Sequence, residues 1–395
     1  MPPMEKDSEV KIERDAEEVD KVIKLYQDCH LCQIENDSVQ KETVIASALI
    51  AMESNGMSDF YERFCCTMKI QPNADRMQRM EAVRTTQLAE IEKTRLAEES
   101  SVDSPSDEDL LKRIQLHFLS GSKEEAFVVA NDCIEKSIRD PFKVEVCFLC
   151  LRLGIFMKDD NIISDYLLKA KKILENYSNW EQRNRLHVYE GLYSVRCSKY
   201  SLAVNALLAA ISTYCSAELM PYSSFLSFTV VLSLTILDRA LLKKKILEQS
   251  AVTAILQQSP AVSSLLKSFQ DCHYANIFDA LGKVCDEFRR DAFFHASVDF
   301  IAQEVEIRAF NQYLEAYQSV HLSSMAAAFG LTQDTVESKL FRHISEGRVF
   351  CQIDKVGGHV IAQVSENMTS QYREILQKGE ILQRQIQKLS KIVGV

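Results

Sequence analysis

Turn-forming residues are scarce in this chain, and that scarcity restricts its fold more than any other feature. Its 395 residues hold 11 Gly and 7 Pro, where average usage would supply roughly 28 and 20. So few turn residues, alongside abundant Leu, Ala, Glu and Lys, predict a chain that is mostly helix. The length leaves room for two or three domains or one long repeat array. A hydrophobic content of 46% and a charged content of 26% are ordinary for soluble globular proteins.

The first twenty residues, MPPMEKDSEVKIERDAEEVD, are charged and hold no apolar segment. They do not read as a secretory signal, and we expect them to be disordered. The most apolar stretch, FLSFTVVLSLTILDRALL, contains Ser and Thr and is broken by Asp238-Arg239. It reads as a buried helix rather than a membrane span. The final KIVGV offers no lipidation signal. Twelve cysteines without a secretory signal point to reduced thiols in the cytoplasm or nucleus. Two Cys-x-x-Cys pairs, Cys29/Cys32 and Cys147/Cys150, lie in helical patterns more than a hundred residues apart. They lack the Gly/Pro turn of a zinc knuckle, so we read them as helical core cysteines and expect no metal and no cofactor.

Residues 1–72 form an N-terminal segment, partly disordered and partly helical, with Ile45, Leu49 and Met52 in a helical pattern before a break at Gly56. Over 73–100, Met77, Met80, Val83, Leu88 and Ile91 mark one side of a long charged helix. ESSVDSPSDED then breaks the pattern. Ser106 and Asp109 form a capping box for the next helix, and Ser104 and Ser106 match phosphorylation patterns. Between 101 and 290, polar breaks at Gly121, Lys158 and Cys197 are 37 and 39 residues apart. An amphipathic helix precedes and follows each break. Paired helices at this period predict an α-solenoid, related to the tetratricopeptide (TPR) repeat but longer. Each pair buries its apolar face only against its neighbours, and the usual output is a scaffold with a large binding surface. Arg183 and Arg185 in QRNRLH read as helix-surface salt bridges within the repeat array, with contact to an acidic partner as the alternative.

Residues 291–366 hold further helices and then HLSSMAAAFGLTQDTVESKLFRHISEGRVFCQIDKVGGHVIAQV, His321 to Val364. Leu322–Phe329 makes a first helix, Gly330 its left-handed C-cap and Thr332 the N-cap of a second. In that second helix Val336, Leu340, Phe341 and Ile344 recur at helical spacing and are expected to face inward. Gly347 ends it. Val349, Cys351 and Ile353 alternate as a strand, DKVGG turns, and Val360, Ala362 and Val364 alternate back. Helix, turn, helix and hairpin together make a winged helix, the shape of a DNA reader. The charges argue against that use. Phosphate contact needs a basic face, yet His321–Glu366 has four Lys or Arg against five carboxylates, and the whole chain carries a net charge of −10. The second helix opens on Gln333 and Asp334, followed by Glu337. The strand edges at 349–353 or 359–364, with Val349, Cys351, Ile353, Val360 and Ala362, offer another use: pairing with a strand of another chain.

Residues 367–395 form a terminal helix in which Ile375, Leu382, Ile386, Leu389 and Val393 lie at spacings of 7, 4, 3 and 4. That is an a/d seam, too short to be stable alone in water. It must pack on its own domain or enter a bundle with other chains.

NWEQRNRLHVYEGLYSVRCSKYSLAVNALLAAISTYCSAELMPYSSFLSFTV (Asn179–Val230), FCQIDKV (Phe350–Val356) and QKGEILQRQIQKLSKIV (Gln377–Val393) closely resemble segments of the PCI-domain subunits of the proteasome regulatory-particle lid. The likeness runs from about residue 73 to the end. It implies a mainly α fold, a right-handed α-solenoid of TPR-like repeats followed by a winged-helix (PCI) domain and a C-terminal helix. It also implies a non-catalytic scaffold in which winged helices pair side by side and terminal helices gather in one bundle. The implied partners are the other PCI subunits of the lid, the deubiquitinase subunit pair and the ATPase ring. No membrane and no nucleic acid is expected. A PCI subunit of the signalosome shares this architecture and is the alternative; a nucleic-acid-binding winged-helix protein is the alternative of another class. The eight histidines form no His-x-His pair and no His-Glu-x-x-His, and there is no phosphate-binding Gly-x-x-x-x-Gly-Lys-Ser/Thr and no Gly-x-Ser-x-Gly elbow.

Overall fold

The structure, a computed structural model, describes residues 19–34, 38–68, 71–100, 107–119, 123–137, 139–176, 179–249, 252, 259–362 and 368–393. Residues 1–18, Ser104 and Ser106, the Gly121 break and Val364 lie outside the described residues. The chain forms two compact units: one runs to Lys267 and includes Asp279–Gln303, and the other comprises Ser268–Phe278 and Glu304 onward.

The first unit is helical throughout its described length. It opens with α1 (Lys21–Ile34), α2 (Ser38–Ser54), α3 (Ser58–Met68) and α4 (Ala74–Ser100). The repeats follow as α5 (Asp107–Leu119) with α6 (Lys123–Lys136), α7 (Asp140–Met157) with α8 (Asp160–Asn176), and α9 (Trp180–Arg196) with α10 (Tyr200–Ala210). Each pair packs on itself, and α6 on α7, α8 on α9 and α10 on α11 (Tyr222–Ile236) join pair to pair, with the short α12 (Arg239–Leu242) next in the chain. The polar breaks act through backbone conformation. Lys158 takes a left-handed φ of 60° and its N–H bonds back to the last turn of α7, which closes that helix and reverses the chain. Ser198 does the same after α9, with φ 58°.

Residue size sets how closely these pairs approach. A Cβ on Gly191 of α9 would stand 2.5 Å from a methyl of buried Leu207 on α10, so any larger residue there would force Leu207 to move. In α11, Phe225, Leu226, Phe228 and Val230–Leu232 are buried, and the hydroxyls of Thr229 and Ser233 donate to the carbonyls of Phe225 and Thr229. The most apolar stretch is therefore a core helix, with the Thr229, Ser233 and Thr235 hydroxyls satisfied by its own carbonyls and Ser227 paired with Ser259. No described helix is long and apolar enough to cross a membrane. Cys32, Cys147 and Cys150 are buried and Cys29 half-buried, and burial pushes the Cys147 thiol up to about 12, so these thiols pack as apolar groups.

The N-terminal helices belong to this unit: α1 packs on α7 as well as on α2 and α3. Of the side expected on α4, Met80 is buried and Met77 and Val83 are half-buried, while the side chains of Leu88 and Ile91 lie outside the described residues. A charge network joins α1 to the repeats. Asp20 accepts from Val22 N–H at the start of α1 and meets Arg152 of α7 at 2.8 Å. Arg152 lies 3.5 Å from Glu218. Arg185 of α9 spans Glu218 at 2.7 Å and Glu145 at 2.6 Å, and Tyr189 donates to Glu218 at 2.7 Å. Arg185 thus makes the salt bridges expected within the repeats, and only its placement on the surface is corrected. Its side chain is only 11% exposed, stacked over Phe148 at 4.6 Å, because two carboxylates converge on it from other elements. Arg183, on the exposed side of α9, donates to the Leu174 carbonyl.

The second unit takes residues from α13 (Pro260–Gln270), α14 (Tyr274–Arg289) and α15 (Val298–Glu315), then β1 (Ser319–His321), α16 (Leu322–Phe329), α17 (Gln333–Ser345), β2 (Cys351–Asp354), β3 (His359–Ala362) and α18 (Met368–Val393). Its core is aromatic. Phe329 lies 4.9 Å from Tyr274, 5.9 Å from Phe278, 4.8 Å from Phe310 and 5.3 Å from Tyr313, centroid to centroid. Gly330, at φ +65°, caps α16 beside Ala275. The sheet is antiparallel in the order β1-β3-β2, with Val320 and Ile353 both opposite buried Val360.

Candidate assembly interface

The helix-turn-helix and hairpin form as expected from the sequence, but three side chains and one strand depart from expectation. Val336 and Leu340 of α17 are fully buried, Ile344 is half-buried and Phe341 is 69% exposed. The inward position goes to His343, whose Nε2 meets Glu306 of α15 at 3.2 Å; an imidazole is tolerated there because a carboxylate partners it. Phe341 instead lines an open groove between α17 and β2, with Asp334, Glu337, Ile353 and Lys355. Thr332 holds the N-cap position, but its hydroxyl donates to Thr335 and accepts from no backbone N–H.

Val349 lies outside the strand. Its N–H and that of Arg348 both return to the His343 carbonyl, which commits them to the end of α17, and the side chain is buried. The expected edge at 359–364 is also corrected. A third strand, β1, pairs with β3, so Val360 and Ala362 lie on the central strand. The edges are β1 and β2. Of the five residues expected at the wing edge, Val349, Cys351 and Val360 are buried and Ile353 and Ala362 half-buried. They hold the wing's shape; the groups available to a neighbour include the outer backbones of β1 and β2, exposed Phe350 and Val356 on either side of β2, and Ile361.

The winged helix retains little cationic surface. Lys339 pairs with Glu306 at 3.0 Å, Arg342 with Glu346 at 3.2 Å, Arg348 with Glu304 at 2.5 Å and Lys355 with Glu337 at 2.8 Å. All four cations of His321–Glu366 are engaged by carboxylates. The hydrogen bond to Glu337 raises the Lys355 ammonium above its ordinary value, which binds the proton more firmly without freeing the charge.

The terminal helix is the opposite of the wing. The apolar residues of α18 with described side chains, among them Ile375, Leu382, Ile386 and Leu389, are between 55% and 70% exposed. At about 100° per residue those four fall within an arc of about 60°. Val393 closes the helix, and its side chain lies outside the described residues. Among the described residues nothing of this chain covers the stripe.

Among the described residues no three His, Cys, Asp or Glu side chains gather as a metal site would require. The sequence model of the 26S proteasome subunit RPN7 family matches residues 73–245, and that of the PCI domain matches 274–363. The 26S proteasome non-ATPase regulatory subunit 6 homolog of Arabidopsis thaliana is 30% identical over 358 residues, which cover 90% of this chain and 92% of that protein. The chain belongs to the RPN7 family of 26S proteasome subunits. Another RPN7-family relative, the 26S proteasome non-ATPase regulatory subunit 6 of Dictyostelium discoideum, is 33% identical over 275 residues, 70% of this chain and 72% of the relative. COP9 signalosome complex subunit 1 of Arabidopsis thaliana is 22% identical over 248 residues, 62% of this chain and 56% of that one. The winged helix and its aromatic core thus fall within the PCI match of an RPN7-family chain, and α18 follows that match.

Proposed function

We propose that this RPN7-family chain is a non-catalytic structural subunit of the proteasome regulatory-particle lid, and that its work is assembly for the ATP-dependent degradation of ubiquitinated proteins. The observation that carries the reading is α18, a helix with an apolar stripe that no described residue of this chain covers, a surface suited to burial against another chain. In this reading α18 enters a bundle with the terminal helices of other lid subunits, and the β2 edge pairs with an adjacent PCI subunit. The repeats present surface to neighbours, and the chain helps to position the deubiquitinase subunit pair and the ATPase ring. It acts in the cytoplasm and nucleus.

A signalosome PCI subunit would share the architecture, but the signalosome relative is less similar and covers less of the chain than the proteasome relatives. Nucleic-acid reading is disfavoured by a recognition helix that opens on Asp334 and Glu337 and by cations already paired. Native affinity purification of the tagged chain, with co-purifying proteins identified by mass spectrometry, tests the proposal. Lid and ATPase subunits with peptidase activity in the eluate are the expected result. Recovery of cullin-modifier machinery would reassign the chain to the signalosome, and a lone chain that binds DNA in a salt-dependent way would overturn the assembly reading.

A further inference from the structure

The repeat unit contains a cavity that no residue of α18 or β2 lines. It measures about 250 Å³ and lies among α1, α7, α9 and the segment 292–296. Leu151, Ile155, Ile163, Leu192 and Phe293 supply apolar walls. Two cations, Lys158 and Arg196, line it, and among its described lining residues there is no carboxylate.

Backbone conformation sets the mouth. Lys158 ends α7 at φ 60°, ψ 32°, a left-handed conformation that non-Gly side chains seldom take. Its ammonium lies 5.8 Å from the centre of the Tyr26 ring, which lines the same cavity. Arg196 is already engaged: its guanidinium donates to the Lys158 carbonyl at 2.9 Å and its Nε lies 2.5 Å from Asp160. Lys158 differs, since among the described residues no carboxylate meets its ammonium within salt-bridge distance. The same charge reaches a lining residue: partial burial and, next, Lys158 hold exposed His295 below the ordinary imidazole range.

Size and charge then select the occupant. An apolar cavity of about 150 Å³ accepts benzene, and drug-sized pockets begin near 300 Å³. A space of about 250 Å³ fits one ring or branched chain with a short stem. A charged group at the mouth of an apolar chamber is best answered by an opposite charge on an apolar body. We propose that this cavity binds a small aromatic or branched-chain monocarboxylate, its body among Leu151, Ile155, Leu192 and Phe293 and its carboxylate on the Lys158 ammonium. The site is independent of the assembly reading and would stand if that reading failed.

Ligand-observed NMR titration of the full-length chain with 3-phenylpropionate, beside the uncharged 3-phenylpropanol, tests it. The acid should bind saturably below about 1 mM and the alcohol roughly tenfold more weakly. Lys158→Gln should bring the acid to the level of the alcohol. Ala296→Trp, at the exposed mouth, should abolish binding with Tm unchanged. Leu382→Asp with Leu389→Asp should leave binding as it was, which separates the cavity from the apolar stripe of α18. No saturable binding of the acid, equal binding of acid and alcohol, an unaffected Lys158→Gln, or loss of binding in the α18 variant would each overturn the site.

Discussion

Helices α7 and α18 are both rich in apolar side chains, and they end in opposite environments. In α7, Val144, Cys147, Phe148 and Leu151 are all fully buried, with α1, α5, α6 and α8 packed around the helix. In α18 every apolar residue with a described side chain is exposed. The pattern distinguishes them. An all-round apolar helix belongs in the middle of a layered core, whereas a stripe on one side of a charged helix suits a partner met along one line. Apolar periodicity says that a face must be covered; it does not say by which chain. Covering a Leu or Ile side chain fully gives about 1.5–3 kcal/mol, so the four-residue stripe of α18 holds several kcal/mol that this chain does not use alone, less the cost of association.

That contrast makes substitutions in the two helices separable, and the largest effect belongs to α7. Phe148→Ala should cost about 3–5 kcal/mol in chemical denaturation, because Phe148 stacks on Tyr189 at 5.1 Å and carries the Arg185 guanidinium on its face. A loss under about 1 kcal/mol would show that α7 is not the core of its unit. Arg185→Ala comes next, at about 3 kcal/mol, since it removes the cation of Glu145 and leaves Glu218 only Arg152 and Tyr189. Arg185→Lys should recover only part of the loss, as an ammonium cannot serve both carboxylates in the geometry of a guanidinium. Equal stability of Arg185→Lys and the parent chain would place the network outside the fold's energetics.

A smaller effect has the opposite sign. Burial pushes the Asp291 carboxyl up to about 6, above the ordinary value near 3.9. Between about pH 4 and pH 6 the folded chain therefore holds a proton that the unfolded chain has released, and stability falls as pH rises through that window. The penalty is complete at neutral pH and absent near pH 3. Asp291→Asn, which can still accept from Phe293 N–H, should stabilise the chain by on the order of 1 kcal/mol at pH 7 and have no effect near pH 3. An equal gain at both pH values would mean that the carboxylate charge is not the cause.

Local features of this fold were legible and non-local ones were not. Lys158 and Cys197 marked helix breaks because a chain poor in Gly and Pro must turn on the few residues that tolerate it. Gly330 announced the cap of α16 through its position alone. The pairing of β1 could not be read: Ser319–His321 is too short to show alternation, and its partners His359–Ile361 lie far along the chain. Phe341 was misjudged because periodicity alone does not separate a flank from a face, and the signal that would have helped, a carboxylate at Glu306 waiting for His343, is on another helix. Arg185 was placed on the surface for the same reason, since Glu145 and Glu218 reach it only after folding. The stripe of α18 was legible because its residues are local, and the structure adds that among the described residues the chain leaves it bare.

The most direct test of the account pairs two readouts on Leu382→Asp with Leu389→Asp. The account predicts that isolated-chain stability shifts by no more than about 0.5 kcal/mol, since both side chains are exposed, while incorporation into the native complex is lost. Normal incorporation, or unfolding of the isolated chain, would contradict the claim that α18 is buried only by other chains.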